Sequence, residues 1–201
     1  MTLHDYYTTK RILYHIGKEH PALEQVALTW LRQAPRQHVL ELGYQAGGFA
    51  VPLITALASS PTFRYCGVDS LAYPNAVPVE ALYDYLHHEG LDAPVRFHQS
   101  SVGTFLCTSL VKPYDLVLMD HAKRDYPLDL WWLLRRGWVA PNGVVLLHDV
   151  LGKAKGPITW LCHFLATLYG YSWDIRTDVP EGLAVLQRPK GRRLDDSHEL
   201  A

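Results

Sequence analysis

Short apolar runs alternate along this chain with longer stretches whose apolar positions recur at helical spacing. The runs at 37 to 42, 65 to 69, 95 to 98, 115 to 120, 143 to 148, 171 to 176 and 183 to 188 read as strands. Their near-continuous apolar character fits strands buried on both faces, and the helical stretches between them supply crossovers. The alternation predicts an α/β fold: a seven-stranded, mostly parallel sheet with helices on both faces. Val77 to His88 carries Leu82, Tyr85 and Leu86 on one side and stops at Gly90, and Ile158 to Tyr169 stops at Gly170, as crossover helices do. Two amphipathic segments, Thr9 to His20 and Ala22 to Gln33, meet at Pro21 ahead of the first strand. They divide the chain into a helical cap at 1–36, a main domain at 37–190 and a polar tail at 191–201.

Composition narrows the class. At 201 residues the chain fits one main domain that buries roughly two-thirds of its unfolded surface. Hydrophobic residues make up 48%, and 19 basic side chains nearly cancel 20 acidic ones. That balance disfavours a nucleic-acid partner, which needs a concentrated basic stripe. Cys66, Cys107 and Cys162 are too scattered for a disulfide framework or a clustered metal site. With no leader pattern and no apolar run of about 18 residues, the expectation is a cytoplasmic protein with no membrane association. A homo-oligomer is compatible with the sequence.

The first strand runs into Glu41-Leu42-Gly43-Tyr44-Gln45-Ala46-Gly47-Gly48, a turn rich in glycine ahead of a helix. Glycine permits a sharp turn and close approach to a ligand, and a helix N-terminus offers free N–H groups to an anion. Such a loop either cradles a nucleotide or merely turns the chain. Asp69 ends the second strand, where open α/β folds hydrogen-bond ribose hydroxyls, although an acid there also serves as a helix cap.

Val39-Leu40-Glu41-Leu42-Gly43, then Gly47, with Asp69 downstream, resembles the first two motifs of class I S-adenosylmethionine-dependent methyltransferases. The resemblance implies a Rossmann-like sheet with an antiparallel strand at its edge and S-adenosylmethionine as cofactor. Gly43 and Gly47 would shape the loop around the methionine moiety, Asp69 would hold the ribose, and Glu41 would sit near the amino group. Ser100 and Ser101 fall in the adenine-side region.

Two further strands end in acids, Asp120 and Asp149. Adjacent parallel strands would bring these carboxylates together, and a close carboxylate pair calls for a proton or a hard cation such as magnesium. Each acid alone reads more readily as a cap, and it is their pairing on adjacent strand ends that favours a cation. Lys123 lies three residues past Asp120, as a surface lysine or as a base whose pKa a neighbouring cation would lower. Met119-Asp120-His121-Ala122-Lys123-Arg124-Asp125-Tyr126 is similar to the catechol O-methyltransferase motif, in which aspartate binds magnesium and lysine is the base. The similarity implies that Asp120 and Asp149 bind the metal, that Asp120 and Lys123 are catalytic, and that Asp120 and His121 also meet the cofactor. Val150 stands where that family has a third metal ligand, asparagine. Ala122 replaces a pocket tryptophan, Ala184 a glutamate that meets the acceptor, and Phe49 a small hydroxyl residue. A catechol specialist is therefore not expected.

The sequence thus predicts methyl transfer from S-adenosylmethionine to a hydroxyl of a small molecule, assisted by a divalent cation, with Lys123 as general base. A metal-independent transferase acting on nitrogen, carbon or another acceptor is one rival, and a non-catalytic binding module another.

Overall fold

The computed structural model describes residues 21–74, 76–152 and 155–188. The expected helix at Thr9 to His20 and the polar tail lie outside these residues. Chain order is α1 (Pro21–Leu31), β1 (Gln37–Leu42), α2 (Ala50–Leu57), β2 (Phe63–Asp69), α3 (Val79–His88), β3 (Val95–Gln99), α4 (Val102–Thr108), β4 (Tyr114–Met119), α5 (Tyr126–Arg135), β5 (Val139–His148), α6 (Gly156–Leu168), β6 (Ser172–Arg176) and β7 (Leu183–Gln187). A 3₁₀ turn at Lys123–Asp125 leads into α5.

The seven strands form one sheet in the order β3-β2-β1-β4-β5-β7-β6. β1 to β5 pair in parallel, whereas β7 runs antiparallel to both β5 and β6. The antiparallel strand belongs to the edge pair, and β6 is outermost.

Strand side chains alternate between faces, so each central strand feeds two cores. Val39, Leu116, Leu118, Val144 and Leu146 pack with α1, α2 and α3 on one face. Their sequence neighbours Leu40, Leu42, Val117, Met119, Val145 and Leu147 pack with α4, α5 and α6 on the other. This two-sided burial is why the strands read as unbroken apolar runs. α3 presents Leu82 and Leu86, one turn apart, to the first core and ends before Gly90, whose φ of +68° suits a residue without Cβ. Ser101 caps α4 by accepting from Thr104 N–H at 3.2 Å. Among the described residues no helix is long and apolar enough to cross a membrane.

β1 lies between β2 and β4, and the chain winds outward from it in both directions. That reversal opens a crevice beyond the carboxyl ends of β1 and β4, where open α/β sheets bind ligands.

Candidate active site

The crevice is a cavity of about 800 Å³, lined among others by Glu41, Gly43, Asp69, Ser101, Asp120 and Lys123. Ligand pockets of about 300–1,000 Å³ are the usual size, so the cavity is large enough for a nucleotide-sized cofactor beside a small second ligand.

Gly43 forms its floor. Its φ is +99°, its N–H donates to Val68 O at 2.8 Å, and Asp120 N–H donates to Leu42 O at 2.8 Å. The ends of β1, β2 and β4 are thereby tied together. A Cβ at Gly43 would stand 2.3 Å from Asp120 O, so only glycine leaves the strand ends this close. Gly47, at φ +78°, is the turn's second left-handed glycine; a Cβ there would stand 2.8 Å from Leu82 Cδ2. It keeps α3 close to the loop and does not itself line the cavity, which Gly48 does.

Asp69 is buried and braces this loop. Oδ2 accepts from Gln45 N–H at 2.9 Å, and Oδ1 accepts from Leu71 N–H at 2.7 Å. A carboxylate has about four lone-pair sites, so each oxygen can still accept from a ligand hydroxyl. Glu41 is 2% exposed and accepts a hydrogen bond from Tyr65 OH. Burial and the Glu41 charge raise the Tyr65 hydroxyl well above its ordinary value, which keeps its proton available to Glu41. Nearby, the Tyr44 hydroxyl is buried without a partner among the described residues, and its ring lines the same cavity.

Of the two serines after β3, Ser101 lines the cavity; Ser100 does not, its N–H donating to Asp69 O at 2.8 Å. His121 Nε2 lies 2.8 Å from Asp129 Oδ2, and its ring sits 4.9 Å from that of Tyr126. Asp129, at 3% exposure, is a buried acid that periodicity alone assigns to a helix.

The remaining residues form a charged chain that runs back from Asp120 and Lys123 in the cavity wall to Asp149 and Lys155. Lys123 Nζ donates to Asp120 Oδ1 at 2.6 Å and to Tyr126 OH at 2.9 Å, and lies 4.0 Å from Asp149 Oδ2. Tyr126 OH lies 2.5 Å from Met119 O and 3.1 Å from His148 O, so its single proton bridges toward the ends of β4 and β5. Burial, then the charges of Asp120 and Asp149, raise that hydroxyl well above its ordinary value. Burial alone would raise Asp120 too. The hydrogen bond from His148 and the Lys123 charge outweigh it and hold the carboxyl well below the usual range.

Adjacent strands do bring Asp120 and Asp149 to one place, with Lys123 between them. His148, which its place beside a strand-end acid leaves open to either face of the sheet, has Nδ1 at 3.2 Å from Asp120 Oδ2. Lys155, readable as a solvated loop lysine, ion-pairs with Asp149 Oδ1. Asp149 is not among the cavity-lining residues.

This donor set does not fit a hard divalent cation. Such ions take about six oxygen ligands, whereas each carboxylate here already meets cationic or imidazole nitrogen. Val150, in the third ligand's place, is packed into the second core. Among the described residues no group of three or more His, Cys, Asp or Glu is arranged to hold a metal ion. Ala184 is also buried in that core, paired with Leu147 and Ile175, and takes no part in the cavity. Phe49 packs into the first core.

Strand order, switch-point crevice and glycine turn are those of a class I S-adenosylmethionine-dependent methyltransferase. The chain belongs to the methyltransferase-domain family, whose profile matches residues 40–150. No curated protein matches it by sequence. Among solved structures it is similar to the S-adenosylhomocysteine-bound methyltransferase PaMTH1 of Podospora anserina, at 14% identity and TM-score 0.63, over 90% of this chain and 87% of that one. It is also similar to TomG of Streptomyces achromogenes, an O-methyltransferase of tomaymycin synthesis in complex with S-adenosylmethionine. There the identity is 21% and the TM-score 0.60, over 84% of this chain and 79% of that one.

Proposed function

We propose that the protein transfers the methyl group of S-adenosylmethionine to a hydroxyl of a small molecule, with Lys123 receiving the hydroxyl proton. The observation that carries this reading is Lys123 Nζ on the cavity wall, fixed by Asp120 and Tyr126 beside the Gly43 turn.

Asp69 accepts from the ribose hydroxyls, Glu41 faces the cofactor's amino group, Gly43 admits its backbone-hugging methionine part, and Ser101 and His121 border the adenine. The cofactor supplies a sulfonium methyl, which is already activated, so the chain's own work is mainly positioning. The acceptor oxygen forms a bond to the methyl carbon as the carbon–sulfur bond breaks, and the electron pair returns to sulfur. The acceptor's proton moves to Lys123 Nζ. Two of the lysine's N–H groups are spoken for by Asp120 and Tyr126, which aims the third tetrahedral direction of the neutral amine. A small acceptor matches the cavity, and Ala122 leaves open the space a larger residue would fill.

The test is S-adenosylhomocysteine formation with a panel of hydroxylated acceptors, in wild type and Lys123→Ala. Loss of a positioned base lowers turnover by about 10²–10⁴-fold, while calorimetry finds affinity for S-adenosylhomocysteine unchanged. Unaltered turnover in the variant would remove the lysine from the chemistry.

A further inference from the structure

The cluster behind the cavity wall contains two carboxylates and two lysines. Asp149 has φ +60°, a left-handed backbone uncommon for a residue with a side chain. That turn lies between β5 and α6, and its surroundings are tied down. Val150 N–H donates to Gly182 O at 3.3 Å and Leu151 N–H to Glu181 O at 2.9 Å, while Thr159 Oγ1 donates to Val150 O at 2.8 Å. Lys155, at the N-cap of α6, has its N–H on Gly152 O at 3.0 Å and accepts from Thr159 N–H at 2.9 Å. The Lys155 backbone is therefore anchored to the same segment whose carboxylate its ammonium meets.

Asp120 and Asp149 are each already met by a lysine nitrogen, Lys123 Nζ on Asp120 and Lys155 Nζ on Asp149. A divalent cation there would meet both lysine side chains at close range and would have to displace Lys155 from Asp149. We propose that the Lys155 ammonium takes the place of a divalent cation at Asp149. The Lys155–Asp149–Lys123–Asp120–His148 chain then orders the catalytic lysine without metal. Lys155 is a positioning residue: it holds Asp149, and Asp149 with Asp120 holds Lys123. The inference rests on the methyltransferase reading for its functional meaning, but its metal-binding half stands apart from turnover.

The experiment is a titration of Mn²⁺ into the full chain, with S-adenosylhomocysteine present and absent, read by electron paramagnetic resonance of the free ion. Wild type is expected to leave Mn²⁺ free. Lys155→Met is expected to gain Mn²⁺ affinity by about tenfold or more, the least that removing a like charge at this range should give. That gain should vanish in the double variant with Asp149→Asn. Lys155→Gln, which keeps a polar end, serves as a second variant should the methionine chain fail to fold. Turnover of wild type should be unchanged by chelation, whereas Lys155→Met should lose turnover under chelation and recover it with Mn²⁺. Mn²⁺ binding by wild type that Asp149→Asn abolishes would overturn the proposal, as would equal Mn²⁺ affinity of wild type and the lysine variants. Failure of wild type to bind S-adenosylhomocysteine would instead strike the methyltransferase reading and leave the Mn²⁺ result standing.

Discussion

Tyr126 shares with Asp120 the task of fixing Lys123. Its hydroxyl accepts from Lys123 while reaching the carbonyls that end β4 and β5. Tyr126→Phe should cost about 1–3 kcal/mol of stability, since it strands buried polar partners. It should also lower kcat while leaving cofactor affinity intact, which denaturant melts and paired kinetic and calorimetric runs will show. Asp120 makes a separate prediction in pH. Its folded carboxyl lies below its unfolded value, so its contribution is present above pH about 4 and is lost as pH falls through the folded value. The Tm difference between wild type and Asp120→Asn should therefore be largest near neutrality and close under acid. A gap that holds constant under acid would show that Asp120 is not the depressed group. Lys155 and His148 were the residues least legible in the sequence. A lysine in a glycine-flanked loop looks solvated, and only the left-handed turn at Asp149 brings its ammonium to a carboxylate.

At the scale of elements, the glycine turn depends on α3. Leu82 is fully buried beneath Gly47, which has no room for a Cβ on that side. Leu82→Ala should cost about 2–5 kcal/mol, the range for a large-to-small change in a packed core. Because it loosens the loop's support, it should also weaken S-adenosylhomocysteine binding; equal affinity in the variant would show the loop to be held by Asp69 alone. The central strands were legible because burial on both faces leaves an apolar run that periodicity finds easily; the outer β3 and β6 are largely exposed. β5 begins at Val139, earlier than its apolar run suggests, since exposed Pro141 and Asn142 interrupt it. For helix α2 the glycine turn marked the start but periodicity gave no extent, and α4 left little trace. The first, Ala50–Leu57, is apolar on nearly every side, and the second spans only 7 residues, fewer than two turns' worth of helical period.

For the whole molecule, strand order is what turns scattered motifs into one site. Pattern alone places Glu41, Asp69 and Asp120 at strand ends, but the pairing of β1 with both β2 and β4 brings those ends together. β6 is outermost and β7 lies inside it: β6 (Ser172–Arg176) is largely polar and part-exposed, while β7 (Leu183–Gln187) is apolar and buried, a difference that sets burial but does not by itself name the pairing partner. The candidate cofactor residues were largely legible, since glycine at a forced turn and acids at strand ends carry their reason with them. The charge balance behind the cavity was not, since it depends on which side chains meet across three elements.

The cofactor cradle is tested most directly by calorimetric titration of S-adenosylmethionine into wild type and Asp69→Asn. Wild type should bind one molecule per chain. The variant, which keeps the side chain's size but loses the charge that holds Gln45 and Leu71 and that is proposed to hold the ribose, should bind about tenfold or more weakly, as expected for charge-assisted bonds. No binding heat from folded wild type, or equal affinity in the two proteins, would contradict the assignment of the Gly43–Asp69 crevice as the S-adenosylmethionine site.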